Sequence, residues 1–345
     1  MKISKQLHKH LNTLNAMSKT LKITFGTLLT FALLSSCNPN DDGEPNYVSS
    51  NTPTSQEFES IREQALENIT QSFQFNADDG NINLTSNNGV SISINGNCLT
   101  KNGNPVTGIV DLEYIELFQK GHMLTTNKPT MGIMPGGEKA LLISGGEFFL
   151  EASQDGVALE TNCPLQLLVP ASLTGTPDNN MILWTGFIDE NGDLAWDEMD
   201  NDPDGQGENG VFTEGSQYYA FFGAFGWTNI DRFYNDPRPK TTIKSAVPEG
   251  YDNTNSAIYL SYDGEDSGLA HLDSYDPIDE LFSEHYGQIP IGLECHLIFV
   301  TEEAGNWRYA IKAVTIAEND IITFSITETD IATEAELTTI INNLP

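Results

Sequence analysis

The feature that most constrains this chain is a two-residue rhythm that returns from residue 90 almost to the end. Val90, Ile92 and Ile94 alternate with Ser91, Ser93 and Asn95; Phe148, Leu150 and Ala152 alternate within EFFLEA, and Leu165, Leu167 and Val169 within LQLLVP. Successive side chains of a strand point to opposite faces, so this rhythm predicts strands with one face on a core. KNGNPVTG (101–108) supplies turn residues, and the Asn-Gly of DENGD (189–193), set between MILWTGFI and LAW, is a hairpin signal. In YYAFFGAFGW (218–227) apolar residues occupy both parities, which predicts a centrally buried strand. Tyr218, Tyr219, Phe221, Phe222, Phe225 and Trp227 are therefore read as core in preference to a stacking face for sugars, and Trp184, Trp196 and Trp307 likewise. TTIKSAV, AIYLSY, GLECHLIFV, RYAIKAVTIA and IITFSITE extend the pattern through the second half.

Two segments break the rhythm. Phe58, Ile61, Ala65, Ile69 and Phe73 recur at three- and four-residue steps, which predicts one amphipathic helix capped by Thr54 or Ser55 and packed on the following sheet. TEAELTTIINNL (333–344) fits a short capped helix. The expected fold class is all-β: two antiparallel β-sandwich-like modules with a short N-terminal and a short C-terminal helix. About 300 residues beyond the leader suit two domains. The expected modules are 56–227 and 228–345, joined before the Pro-containing NDPRP.

The N-terminus says where such a chain is sent. Residues 2–22 carry five lysines and no acid, and the apolar run Ile23–Leu34 follows. Twelve residues are too few to span a bilayer, which needs about 20. A basic region, a short apolar region and small residues before a cut describe a secretory signal, here residues 1–36. Leu-Ser-Ser-Cys (34–37) resembles the lipobox of bacterial lipoproteins, which implies that Cys37 becomes the lipid attachment point. Residues 37–55, rich in Asn, Pro, Ser and Thr, read as a flexible tether. Asp41, Asp42 and Glu44 resemble the export signal of surface lipoproteins of Bacteroidota type, which implies an outer-membrane, lipid-anchored protein at the cell surface, with the periplasmic leaflet as the alternative.

Charge and cysteine narrow the partners. The chain has 16 Lys+Arg against 49 Asp+Glu; removal of residues 1–36 leaves 11 against 49, a formal −38. Such a charge opposes nucleic acid, whose phosphates are neutralised by Lys and Arg, and favours cations and basic partners. An exported chain can form disulfides, and Cys98 with Cys163 is the candidate pair. Cys295 alternates with Leu293, Leu297 and Phe299 and reads as a buried thiol.

The best candidate for metal chemistry is DNDPDGQGENG (200–210). Asp200, Asp202, Asp204 and Gly205 fit the opening of a calcium loop and Glu208 takes its ninth position, but Val211 stands where a bidentate Glu belongs. A solvated acidic loop is the simpler reading, and calcium is the one cofactor with any claim. In DENGD, Gly192 comes two residues too early for such a loop, so the turn reading prevails. The sequence contains neither G-x-S-x-G nor H-E-x-x-H. His122, His271, His285 and His296 sit in separate segments, and Glu294 with His296 reads as a surface pair. The chain is not expected to be an enzyme.

GNPVTGIVDLEYIEL (103–117), SGGEFFLEA (144–152) with ASQDG (152–156), and GWTNIDRF (226–233) resemble a set of Bacteroidota-type lipoproteins and surface proteins of unknown function. Their first module is similar to the carboxypeptidase-regulatory-like β-sandwich, and the likeness covers residues 80–235. It implies a fold and an address, with no catalytic motif. The functional expectation is a non-catalytic binding or structural module at the cell surface whose partner is a surface protein or glycan. The alternative is a surface hydrolase or an accessory subunit of a glycan or peptide uptake complex.

Overall fold

The alternating segments become hydrogen-bonded sheets in a computed structural model, which describes residues 52–188, 194–199, 209–284 and 286–345. The longer strands are β1 (Gln71–Asn76), β2 (Asn81–Thr85), β3 (Ser91–Asn95), β4 (Ile109–Leu117), β5 (Lys139–Gln154), β6 (Leu165–Pro170), β7 (Ile182–Ile188), β8 (Leu194–Glu198), β9 (Gly210–Glu214), β10 (Gln217–Phe222) and β11 (Gly226–Phe233). The second half adds β12 (Ser256–Tyr262), β13 (Glu294–Glu303) and β14 (Asn306–Thr315). The helices are α1 (Ser55–Ile69), α2 (Lys120–Thr125) and α3 (Glu334–Asn342). The fold is all-β with few helices.

Two sheets of the first half face each other. One is the five-stranded sheet β9-β10-β6-β3-β2; the other contains β1, β4, β5, β11, β7 and β8 in that order. Ile92, Leu167, Ala220 and Phe222 from the first meet Leu112, Phe148 and Leu150 from the second in one buried cluster. Removing this apolar surface from water is worth about 25 cal/mol per Å², and the alternation puts the apolar set on the inward face.

The larger sheet also closes on itself. The start of β5 pairs with Met131–Ile133, which pairs in parallel with β8; β8 continues through β7 and β11 back to β5. Leu142, Trp184, Leu194 and Trp196 fill this small ring. The register of β5 slips opposite Asn229–Asp231, where Gly145 and Gly146 stand against Ile230. Gly146 has φ +136, and a Cβ there would come within 2.7 Å of the Phe118 ring.

In the second half β12, β13 and β14 form the centre of a sheet covered on both faces. Leu260, Leu297 and Phe299 join the cluster of the first-half sandwich, while Tyr259, Ile298 and Trp307 face a second cluster under the helices. Residues Asn51–Pro345 are accordingly one compact unit. The expected join at 227/228 falls inside β11, which is paired along both edges.

Helix α1 begins at the N-cap Thr54, with Glu57 closing the capping box, and ends at Ile69. Phe73, expected as its last apolar residue, lies in β1 opposite Leu112. The helix packs on the sheet of the second half, where Phe58 meets the Trp307 ring edge-on at 6.3 Å, and the same cluster takes in Ile115 and Leu117 of β4 from the sheet that follows it. The final helix α3 starts from a capping box of Thr333 and Glu336.

Candidate ligand-binding face

The outward side of the five-stranded sheet follows from its registers. Phe212 of β9 pairs with Tyr219 of β10, Tyr219 with Leu168 of β6, Leu168 with Ser91 of β3, and Ser91 with Thr85 of β2. Cross-strand partners share a face. The five strands therefore turn 15 positions outward, of which Glu214 alone carries a charge.

Three aromatic rings stand together at one edge of this face. The rings of Phe212 and Tyr219 are parallel within 3° with centroids 5.1 Å apart, and Phe212 and Phe221 within 18° at 5.9 Å. One side of the Phe212 ring is thus occupied by two rings of β10. Its other side points beyond β9, the edge strand, and Phe212 is 51% exposed. Next to the rings come Gln166 and Leu168, then Ser91, Ser93 and Asn83, with the Ser93 hydroxyl donating to Asn83 Oδ1 (2.8 Å). An apolar ring presents its π face to C–H groups, and amides and hydroxyls both donate and accept hydrogen bonds. A strip of rings followed by a neutral hydrogen-bonding floor suits a polyhydroxylated, uncharged chain.

This arrangement corrects the reading of YYAFFGAFGW as one centrally buried strand. The run is two strands of two different sheets, broken at 223–225, and within β10 only Tyr218, Ala220 and Phe222 face the core. Tyr219 and Phe221 face outward beside Phe212, a residue that the sequence reading did not single out. The segment itself held no such signal, because residues 218–222 are apolar at both parities; the polar strands beyond β6 are what mark its outward side.

Cys98 and Cys163 are joined by a disulfide, with Cα atoms 5.6 Å apart. Cys295 is a free, buried thiol, pushed up to about 12 by burial. Cys37 and the acidic loop with Asp200, Asp202, Asp204 and Glu208 lie outside the described residues, as do 189–193 and His285. Among the described residues no group of three His, Cys, Asp or Glu side chains could hold a metal ion, and no helix is long and apolar enough to cross a membrane. His296 pairs with Asp263, its Nδ1 2.8 Å from the carboxylate, and not with Glu294. Trp184, Trp196 and Trp307 are fully buried.

The most perturbed acids lie inside the fold. Trp184, Asn229 and Glu147 are cross-strand neighbours, so Glu147 and nearby Asp231 face the interior of the closed ring. Both are wholly buried, which pushes their carboxyls well above the usual range, and the charge of Asp231 raises Glu147 further. Asn229 Nδ2 donates to Asp231 Oδ2 (2.5 Å). Sealed from solvent, these acids cannot meet a substrate in this conformation.

Comparison with known proteins finds no matching family model and no matching curated protein.

Proposed function

We propose that this protein is a lipid-anchored lipoprotein of the outer membrane, displayed at the cell surface, that binds a neutral glycan without transforming it. The observation that carries the binding reading is the ring strip of Phe212, Tyr219 and Phe221 beside Gln166, Ser91 and Asn83, on a face with one charged position. In a chain with 49 acids and 16 bases, a face this free of charge suits an uncharged ligand: an anionic polymer finds no basic side chain there, and a basic one only Glu214. The anchoring part rests on the signal-like residues 1–36 and on Cys37, and it implies membrane contact through the lipid.

One experiment addresses both parts. Cells expressing the wild type or Cys37→Ala are fractionated and probed with protease from outside. Wild type is expected in the membrane fraction and cut on intact cells, and Cys37→Ala in the soluble fraction. Protease protection of the membrane-bound wild type would point to the periplasmic leaflet. The purified proteins are then run through gels containing neutral β-glucan, mannan or starch. Phe212→Ala and Tyr219→Ala should each weaken retardation by roughly two- to tenfold, from about 0.5–1.5 kcal/mol per ring contact. Ile278→Ala, at an isoleucine 89% exposed off this face, should change nothing. Retardation that survives loss of both rings, or that occurs only with charged polymers, would refute the glycan reading.

A further inference from the structure

A second site shares no residue with the sheet face. Beneath helix α1 lies a cavity of about 540 Å³, within the range of small-molecule sites. Its walls come from α1, from Thr126–Lys128, and from the segment around His271. Arg62 projects into it from α1, and the setting of this one side chain is unlike that of any other arginine in the protein.

The chain has four arginines. Three are held by carboxylates: Arg232 by Asp178 at 2.6 Å, Arg238 by Asp236 at 2.5 Å, and Arg308 by Glu303 at 3.3 Å. Arg62 forms no ion pair with any described residue, although acids outnumber bases threefold. It is nevertheless fixed in place. Its guanidinium lies 3.9 Å from the centre of the Phe58 ring, and its Nη2 donates to the Tyr259 hydroxyl (3.2 Å). That hydroxyl donates in turn to Asn127 Oδ1 (2.5 Å), and the Tyr259 ring is stacked on His271 at 4.8 Å. Arg62 Nε is buried and has no hydrogen-bond partner among the described residues.

A guanidinium carries five N–H groups in a rigid planar fork that matches a carboxylate with two parallel hydrogen bonds. Here the fork is held before any ligand arrives, which lowers the ordering cost of binding. Glu59, Glu63 and Asp273 also line the cavity. Asp273 is compensated by Lys139 at 2.7 Å, whereas Glu59 and Glu63 disfavour a ligand carrying several negative charges and tolerate one that carries a single carboxylate on a polar or cationic body. We propose that this cavity binds a small monocarboxylate of hexose or amino-acid size, with Arg62 as the residue that grips the carboxylate.

Full-length protein in detergent would be titrated calorimetrically with D-glucuronate, D-glucose, L-alanine and inorganic phosphate. Saturable binding of glucuronate or alanine is expected, with glucose, which lacks the carboxylate, and phosphate at least tenfold weaker. Arg62→Gln should abolish the binding. Arg62→Lys, which keeps the charge and loses the fork, should weaken it at least tenfold, and Lys101→Gln, at a half-buried lysine paired with Asp155 and outside the cavity lining, should leave it unchanged. Melting curves like the wild type for either Arg62 variant keep the comparison valid. No saturable binding of glucuronate or alanine, undiminished binding in both Arg62 variants, or phosphate binding tighter than both carboxylates would overturn the proposal.

Discussion

Three glutamates show how environment decides what one side chain does. Glu116 is buried, and its carboxylate accepts from Ser86 Oγ (2.8 Å), Asn88 Nδ2 (2.9 Å), Gln71 Nε2 (3.0 Å) and the Tyr114 hydroxyl (3.1 Å). Neither oxygen of Glu147 has a donor among the described residues, and burial favours its neutral form. Glu284 lies between these extremes. The backbone N–H groups of Tyr286 and Gly287 donate to it at 2.8 and 3.0 Å, yet burial prevails and lifts it from 4.5 to about 7. Between those values the folded protein keeps the proton that the unfolded chain has released. The native state binds more protons there, so Glu284 makes stability fall as pH rises from about 4.5 to about 7. At one pKa unit per 1.36 kcal/mol the loss is on the order of 3 kcal/mol. Urea midpoints of the wild type and Glu284→Gln at pH 5 and pH 8 measure it. The variant should lose much less stability over that interval, and equal losses would show that Glu284 does not titrate there.

At the scale of elements, pairing decides which face a residue serves. The alternation in β3 and β6 was legible from sequence because each carries its inward apolar set at every second position, whereas β10 is apolar at both. The neighbour of each strand was not legible, and without it Tyr219 and Phe221 look like core. The helix was legible for the same kind of reason, up to Ile69. Its three- and four-residue steps then run on to Phe73 by coincidence, since Phe73 also keeps the two-residue step to Phe75 in β1. The closed ring of strands had no sequence signal, because closure depends on the parallel contact of Trp196 with Gly132. Gly186 in β7 is one of the residues that lets the ring fill. A Cβ there would lie 2.6 Å from Trp227 Cβ and 2.8 Å from the Trp196 ring. Gly186→Ala should therefore cost about 1–3 kcal/mol, typical of overpacking, seen as a lower denaturant midpoint. An unchanged midpoint would mean that the two tryptophans have room to move.

Across the whole molecule, covalent and noncovalent links tie distant segments into one body. The Cys98–Cys163 bond spans 65 residues and so restricts the unfolded chain far more than a short loop would. In the chain-entropy treatment it contributes about 4 kcal/mol. Reduction should lower the melting temperature of the wild type and leave Cys98→Ser/Cys163→Ser unaffected; a wild-type melt indifferent to reductant would remove the bond from the stability account. The halves are further joined by the buried ion pair of Lys139 and Asp273 (2.7 Å), by Thr130 with Leu269, and by Arg62 with Tyr259. The candidate carboxylate cavity arises from this joining, because α1 reaches over to the second half and brings Arg62 to residues almost 200 positions away.

The sequence by itself determined the all-β class, the strand segments, both terminal helices and their caps, because these depend on the periodicity and chemistry of neighbouring residues. Only the tertiary structure decided which apolar residues face outward, how the large sheet closes, and that Arg62 forms no ion pair with a described carboxylate. Those properties belong to pairs of segments brought together in space, and side chains far apart along a chain carry no local mark of the partner they will meet.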